Sequence, residues 1–263
     1  MKNFYFNLGI AFITGIFVCL IILPMLALFT ATSLGELIYQ FKSPMVFSAV
    51  IISLETSLTV VFLSLCIGIP VAYLLAMEDF KGKKILDTLV DLPIVMPPLV
   101  AGLALLILLG GNNKFGRLLS AHGIDLIFSK KGIIIAQLFV SIPFLIKSTK
   151  DAFESINKNV INASLTLGAS KFYMFKTVLL PLAKNGIYTG MIMTWARAMG
   201  EFGATSMVAG CIPFRTETMT VAIYQNAMSG EPAASIAVAL LLLVFSFTLL
   251  LVFKSRIKGT GKK

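Results

Sequence analysis

Long apolar runs separated by short polar stretches set the pattern of this chain. Six stand out, at about 8–29, 49–76, 90–110, 133–148, 186–210 and 234–253. A helix needs about 20 mostly apolar residues to cross a bilayer core, so the pattern predicts about six transmembrane helices joined by short loops. The fourth run is short, and the second and fifth contain charges. The first follows Lys2. Its apolar stretch is longer than that of a secretion signal and no small-x-small cleavage pattern follows, so it reads as an uncleaved span. No repeat of fixed period, low-complexity segment or inverted repeat is evident. The expectation is an all-α integral membrane protein forming one domain over residues 1–263.

One stretch departs from this pattern, at about 149–185. Phe153, Ile156, Val160, Ala163 and Leu167 recur at spacings of three and four, which predicts an apolar stripe on one helix. Gly168 stands where that helix could end in a left-handed residue, a conformation glycine adopts without steric cost. Ser170 can cap a second helix beginning at Lys171, and Pro181 ends the run. Two short helices with a tight glycine turn at the inner membrane surface are expected. Such a segment could rest on lipid headgroups.

Composition agrees with the membrane reading. The chain is 57% hydrophobic and 13% charged, where soluble domains carry about 25% charged residues. Its net charge of +10 need not mean nucleic acid, because basic residues on the cytoplasmic side orient membrane proteins. With the N-terminus inside, 15 Lys and Arg fall on the cytoplasmic side and 6 outside, so both termini are expected in the cytoplasm. Cys19, Cys66 and Cys211 lie far apart without a CxxC, and His122 is alone, which argues against a metal centre or disulfide framework. No GxxxxGK[ST] is present, so any ATP chemistry belongs to a separate chain, and no hydrolase signature suggests an enzyme.

Charges inside the apolar runs are the candidate chemistry. Arg197 and Glu201 stand four apart in the fifth run, and such charges usually face a bundle interior or a watery path. Gly186, Gly190, Thr194 and Thr205 are expected to extend that face, with Gly186 and Gly190 also forming a GxxxG helix-packing motif. Arg197 can ease passage of an anion, or form a structural ion pair with Glu201. Pro93, Pro97 and Pro98, beside Asp91, predict a bend in the third run, serving either packing or a gate. Glu55 needs a partner that its neighbours do not reveal.

The polar stretch resembles the cytoplasmic EAA loop of ABC importer permeases, usually Glu-Ala-Ala, three residues, Gly, nine residues, Ile-x-Leu-Pro. Here the match is Asn162-Ala163-Ser164, Gly168, then Val178, Leu180 and Pro181. Asn162 replaces the glutamate, Ser164 the second alanine and Val178 the isoleucine. DLPIVMPPLVAGLALL (91–106), ARAMGEFGATSMVAGCIP (196–213) and TETMTVAIY (216–224) are similar to the molybdate, tungstate and sulfate permeases. The resemblance covers nearly the whole chain. It implies a type I importer fold in the cell inner membrane and a homodimer of permease subunits. A cytoplasmic ABC ATPase dimer and an extracytoplasmic oxyanion-binding protein complete the assembly. Asn162, Ala163, Ser164, Leu167, Gly168 and Ala169 would then contact the ATPase, while Thr194, Arg197, Glu201 and Thr205 would line the path. Molybdate or tungstate is the expected cargo. A sulfate or thiosulfate permease is the alternative, and an ion-gradient-driven secondary transporter is a remoter one.

Overall fold

The computed structural model describes the backbone of residues 2–258 and the side chains of residues 6–252. Lys262 and Lys263, together with the side chains of Lys2, Lys254, Arg256 and Lys258, lie outside the described residues. The described chain is helical throughout. In order come α1 (Lys2–Thr30), α2 (Leu34–Phe41), α3 (Pro44–Met77), α4 (Lys83–Val95), α5 (Pro98–Leu109), α6 (Lys114–Ala121) and α7 (Lys130–Glu154). The series continues with α8 (Lys158–Thr166), α9 (Lys171–Met174), a π-turn at Phe175–Leu179, α10 (Leu180–Met199), α11 (Gly203–Ala209), α12 (Met219–Met228) and α13 (Pro232–Lys258).

Among the described residues, α1, α3, α7 and α13 are long and apolar enough to cross a membrane. The α4–α5 pair makes a fifth span if counted as one, bent by 111°. The break follows from proline chemistry. Met96 precedes Pro97 and Pro97 precedes Pro98, and both take extended backbone with ψ near 129° and 133°. A residue before proline is driven out of the helical region, while Pro98 is well suited to open the next helix. The expected bend is therefore a full interruption. The run expected over 186–210 is also interrupted: α10 stops at Met199, and α11 begins at Gly203. Six continuous spans thus become four unbroken ones and two broken segments.

The run expected at 133–148 extends to the 25 residues of α7. Charges near its C-terminal end find partners on α4: Lys147 Nζ lies 2.8 Å from Asp91, and Lys150 Nζ lies 2.8 Å from Asp87. At the opposite end Lys130 Nζ meets Glu55 of α3 at 2.7 Å, which supplies the missing partner of Glu55.

Helix α7 lies at the centre, against α3 on one side and α10 on the other. Small residues set the closeness of these contacts. A Cβ at Gly68 of α3 would stand 3.1 Å from Leu145, and one at Gly190 of α10 would stand 3.0 Å from the same residue. A Cβ at Gly186 would overlap Ala152, and the Gly186 carbonyl accepts a 2.8 Å hydrogen bond from Ser148 Oγ. The Gly186–Gly190 motif therefore packs α10 onto α7.

Helix α9, the π-turn and α10 run without a break from Lys171 to Met199. The Leu180 N–H donates five residues back, to the Phe175 carbonyl. Pro181 has no N–H to give the carbonyl four residues back, and its ring would crowd that carbonyl in a regular turn. The wider π-turn lets the helix continue.

Candidate functional site

Two regions carry the candidate chemistry. The first is the polar stretch after α7. Phe153 is fully buried at the end of α7, and Asn157 then starts a new helix by accepting a hydrogen bond from the Asn159 N–H at 2.9 Å. The expected single stripe is thereby split. Val160, Ala163 and Leu167 all face outward on or beside α8, whereas Ile161 turns inward. Ile161 packs in one cluster with Leu75, Phe153, Met174 and Leu179, which fastens α8 to the membrane helices.

The end of α8 takes the shape that its glycine suggests. Gly168 has φ +88°. Its N–H donates to Leu165 O at 3.0 Å, and the Ala169 N–H donates to Ser164 O at 3.1 Å. These are the two bonds of a Schellman ending. Ser170 Oγ then accepts from the Tyr173 N–H at 3.2 Å and caps α9. Asn162, Ala163, Leu167 and Gly168 are exposed, while Ser164 and Ala169 are half-buried. Leu167 is 88% exposed and Phe172 74%, an unusual presentation of apolar side chains on a polar segment. Around the turn, Ser164, Leu167, Gly168, Ala169, Ser170 and Tyr173 line an open hollow of ≈ 560 Å³. Lys171 reaches Glu78 at the foot of α3, 2.8 Å away. That carboxylate holds the Lys171 ammonium above its ordinary pKa, chiefly through the hydrogen bond.

The second region is the gap between α10 and α11. Arg197, on the last turn of α10, forms an ion pair with Glu201. Glu201 lies beyond the helix end and is 1% exposed. Its other oxygen, Oε1, accepts from the Ala204 N–H at 2.7 Å and so caps α11. Glu201 also offers its backbone carbonyl to Thr220 Oγ1 at 2.8 Å. Each carboxylate oxygen therefore has a partner, as a buried charge requires. The Arg197 side chain keeps 28% of its surface open, so one cation looks outward from a pair whose anion is enclosed.

Thr194 does not share that opening. It is fully buried and its hydroxyl donates to the Ser141 carbonyl of α7 at 3.3 Å. Thr205 is buried on α11, and its hydroxyl has no hydrogen-bond partner among the described residues. The structure brings Arg197 and Glu201 together and places the two threonines on packed faces. The open face of α10 is a different one: Asn185, Thr189, Met193, Ala196 and Gly200 recur at helical spacing and are all exposed. Their spacing of three and four was a usable signal that sequence reading passed over.

The two broken segments meet beside this pair. A Cβ at Gly203 would stand 3.0 Å from Pro98 Cβ, and one at Gly102 would stand 2.7 Å from Ala204 Cα. Helices α5 and α11 thus touch nearly backbone to backbone, next to the only mid-segment charges of α10 and its break.

Residues 68–256 match the family described as "Binding-protein-dependent transport system inner membrane component". The chain is 37% identical over 207 residues to the molybdenum transport system permease protein ModB of Escherichia coli (strain K12), covering 75% of this chain and 90% of that one. It is 30% identical over 237 residues to the probable sulfate transport system permease protein cysT of Helicosporidium sp. subsp. Simulium jonesii, covering 89% and 88%. Among solved structures, a bacterial ABC transporter involved in the import of the acidic polysaccharide alginate shares the fold, with a TM-score of 0.77 at 18% identity over 99% of this chain and 98% of that one. With its apolar helices, paired broken segments and family match running from the second half of α3 into α13, the chain belongs to the binding-protein-dependent transport system inner membrane components, as a multi-pass permease of the ABC importer kind.

Proposed function

We propose that this permease carries a tetrahedral oxyanion, molybdate or tungstate, inward as one half of a homodimer. It is driven by two cytoplasmic ABC ATPases and supplied by an extracytoplasmic oxyanion-binding protein. The observation that carries the reading is the outward-facing α8–Gly168 turn with Leu167 and Phe172 exposed, joined without a break to the helix that bears Arg197. The ATPase docks on Asn162, Ala163, Ser164, Leu167, Gly168 and Ala169, and its closure moves α8 and the helix behind it. At the far end Arg197 faces the path and lowers the barrier for a dianion. Glu201 offsets that charge, so the anion passes without being trapped; a conducting site must bind weakly enough to release. Thr194 and Thr205 hold α10 and α11 in place around the pair. A second copy covers the open faces of α10 and α5, and α1, whose apolar window has 0% of its residues buried within the chain, lies against lipid or that copy.

Vesicles containing the permease, its ATPase and its binding protein should take up labelled molybdate only with ATP, and tungstate should compete. Uptake driven by an ion gradient without ATP would instead establish a secondary transporter. A sulfate permease is the second reading, favoured by the longer alignment with the sulfate relative, 89% of this chain against 75%. Sulfate uptake that molybdate fails to inhibit would decide for it.

The proposed orientation has both termini, α8 and the Asp87–Lys150 and Asp91–Lys147 pairs in the cytoplasm. In a background lacking the native cysteines, Lys114→Cys is expected to react with a membrane-impermeant thiol reagent in intact cells, and Lys158→Cys only after lysis. The reverse pattern would invert the topology.

A further inference from the structure

Glu217 stands in the turn between α11 and α12, away from the Arg197 pair. The backbone on either side of it is held in place. Thr216 N–H donates to Ile212 O at 2.9 Å, and Ile212 N–H returns a 3.1 Å bond to Thr216 Oγ1. Met219 N–H donates to Ser53 Oγ of α3 at 2.8 Å, and Thr220 Oγ1 donates to Glu201 O at 2.8 Å. Glu217 is 1% exposed, and neither carboxylate oxygen has a hydrogen-bond partner among the described residues.

The contrast with Glu201 is direct. Both glutamates are 1% exposed, but Glu201 has Arg197 and the Ala204 N–H. The charges around Glu217 are otherwise committed or outside. On α3, Glu55 is held by Lys130, and on α10 Arg197 is held by Glu201. Arg215, two residues away, is exposed. Cys211 is the titratable neighbour in the same turn, its thiol pushed up by burial and then by Glu217. From α12, Gln225 binds the Cys211 carbonyl through Nε2 at 3.2 Å, and its Oε1 has no hydrogen-bond partner among the described residues. Neither Glu217 oxygen has a donor among the described residues, so a carboxylate there would be a charge without a partner.

We infer that Glu217 is a proton-holding positioning residue, carried as the neutral acid at neutral pH, which seats the turn before α12 against α3. An enclosed carboxyl with no cation keeps its proton because ionising it there has nothing to repay the lost hydration. Burial accordingly pushes the Glu217 carboxyl up. The folded state then holds a proton that the unfolded chain releases. Stability from this residue is present below the ordinary carboxylate pKa and is lost as pH rises towards the folded pKa.

The test is the melting temperature of wild type and Glu217→Gln from about pH 5 to about pH 8, together with infrared spectra of wild type. Gln keeps the shape without the charge. The difference between the two proteins is expected to grow in favour of Gln as pH rises, by roughly 3–5 °C per pH unit inside the titration window. A protonated-carboxyl band should persist in wild type at neutral pH and be absent from the variant. Glu217→Met, apolar and of similar volume, should melt close to wild type at neutral pH. A pH-independent difference with no such band would overturn the inference. So would stabilisation of wild type, but not of Gln, by sodium or potassium, which would place a bound cation there.

Discussion

Replacing Gly168 by proline is expected to abolish ATP-driven uptake while the permease still inserts and folds. The substitution acts at one point of the coupling surface. Proline fixes φ near −65°, whereas Gly168 sits at +88°. It also removes the N–H that donates to Leu165 O, one of the two bonds closing α8. Gly168→Leu keeps the N–H but meets left-handed strain of about 1–2 kcal/mol. No atom lies within 4 Å of a Cβ placed there, so the leucine variant is strained by backbone alone and is not excluded by packing. Proline should therefore lose uptake by a factor of about 100 or more, and leucine by about 10 through that strain. Co-purification of the ATPase with each variant is the companion measurement. Full uptake with a normally bound ATPase would remove Gly168 from the coupling mechanism.

Arg197 and Glu201 give the second large effect. Arg197→Met leaves Glu201 buried with one oxygen unpartnered, and breaking such a pair costs about 3–5 kcal/mol. Uptake and stability should both fall. Adding Glu201→Gln removes the stranded charge and retains an amide oxygen that can still accept from Ala204. Stability should then return towards wild type, and uptake should not. The comparison of all four proteins is a double-mutant cycle, in which stability reports the pair and uptake reports the cation. Recovery of uptake in the double variant would make Arg197 a counter-ion to Glu201 and nothing more.

How far such residues could be read from sequence depended on how local their determinants are. The Gly168 turn was legible because one left-handed residue and one capping serine need only their neighbours. The stripe before it was misread as one helix because Asn157 interrupts the period with its own local cap, a preference that periodicity counts ignore. Ile161, off that stripe, became the inward anchor. Glu201 was placed on a helix face by its distance of four from Arg197, and the two do meet. Its role in starting α11 was not foreseen, because an apolar run around Gly-Glu-Phe-Gly reads as continuous when only hydropathy is followed. The Glu55–Lys130 pair was out of reach for another reason: its partners are 75 residues apart in the chain, and only the packing of α3 on α7 brings them together.

The unbroken helix from Lys171 to Met199 acts as a lever arm. At 1.5 Å per residue its 29 positions span roughly 40 Å, so a tilt of about 5° at the Gly168 end displaces the Arg197 end by about 3–4 Å. That displacement exceeds the separation of a hydrogen-bonded pair. A rocking of α8 therefore carries Arg197 and Glu201 together, since the Glu201 N–H donates to the Ala198 carbonyl of α10 at 3.2 Å, and strains the bonds that Glu201 makes to Ala204 of α11 and Thr220 of α12. A one-residue deletion within Phe175–Leu179 would convert the π-turn into a regular one and leave the two ends of the arm facing nearly as before, but it would bring the Pro181 ring against the carbonyl four residues back, so the arm would bend there.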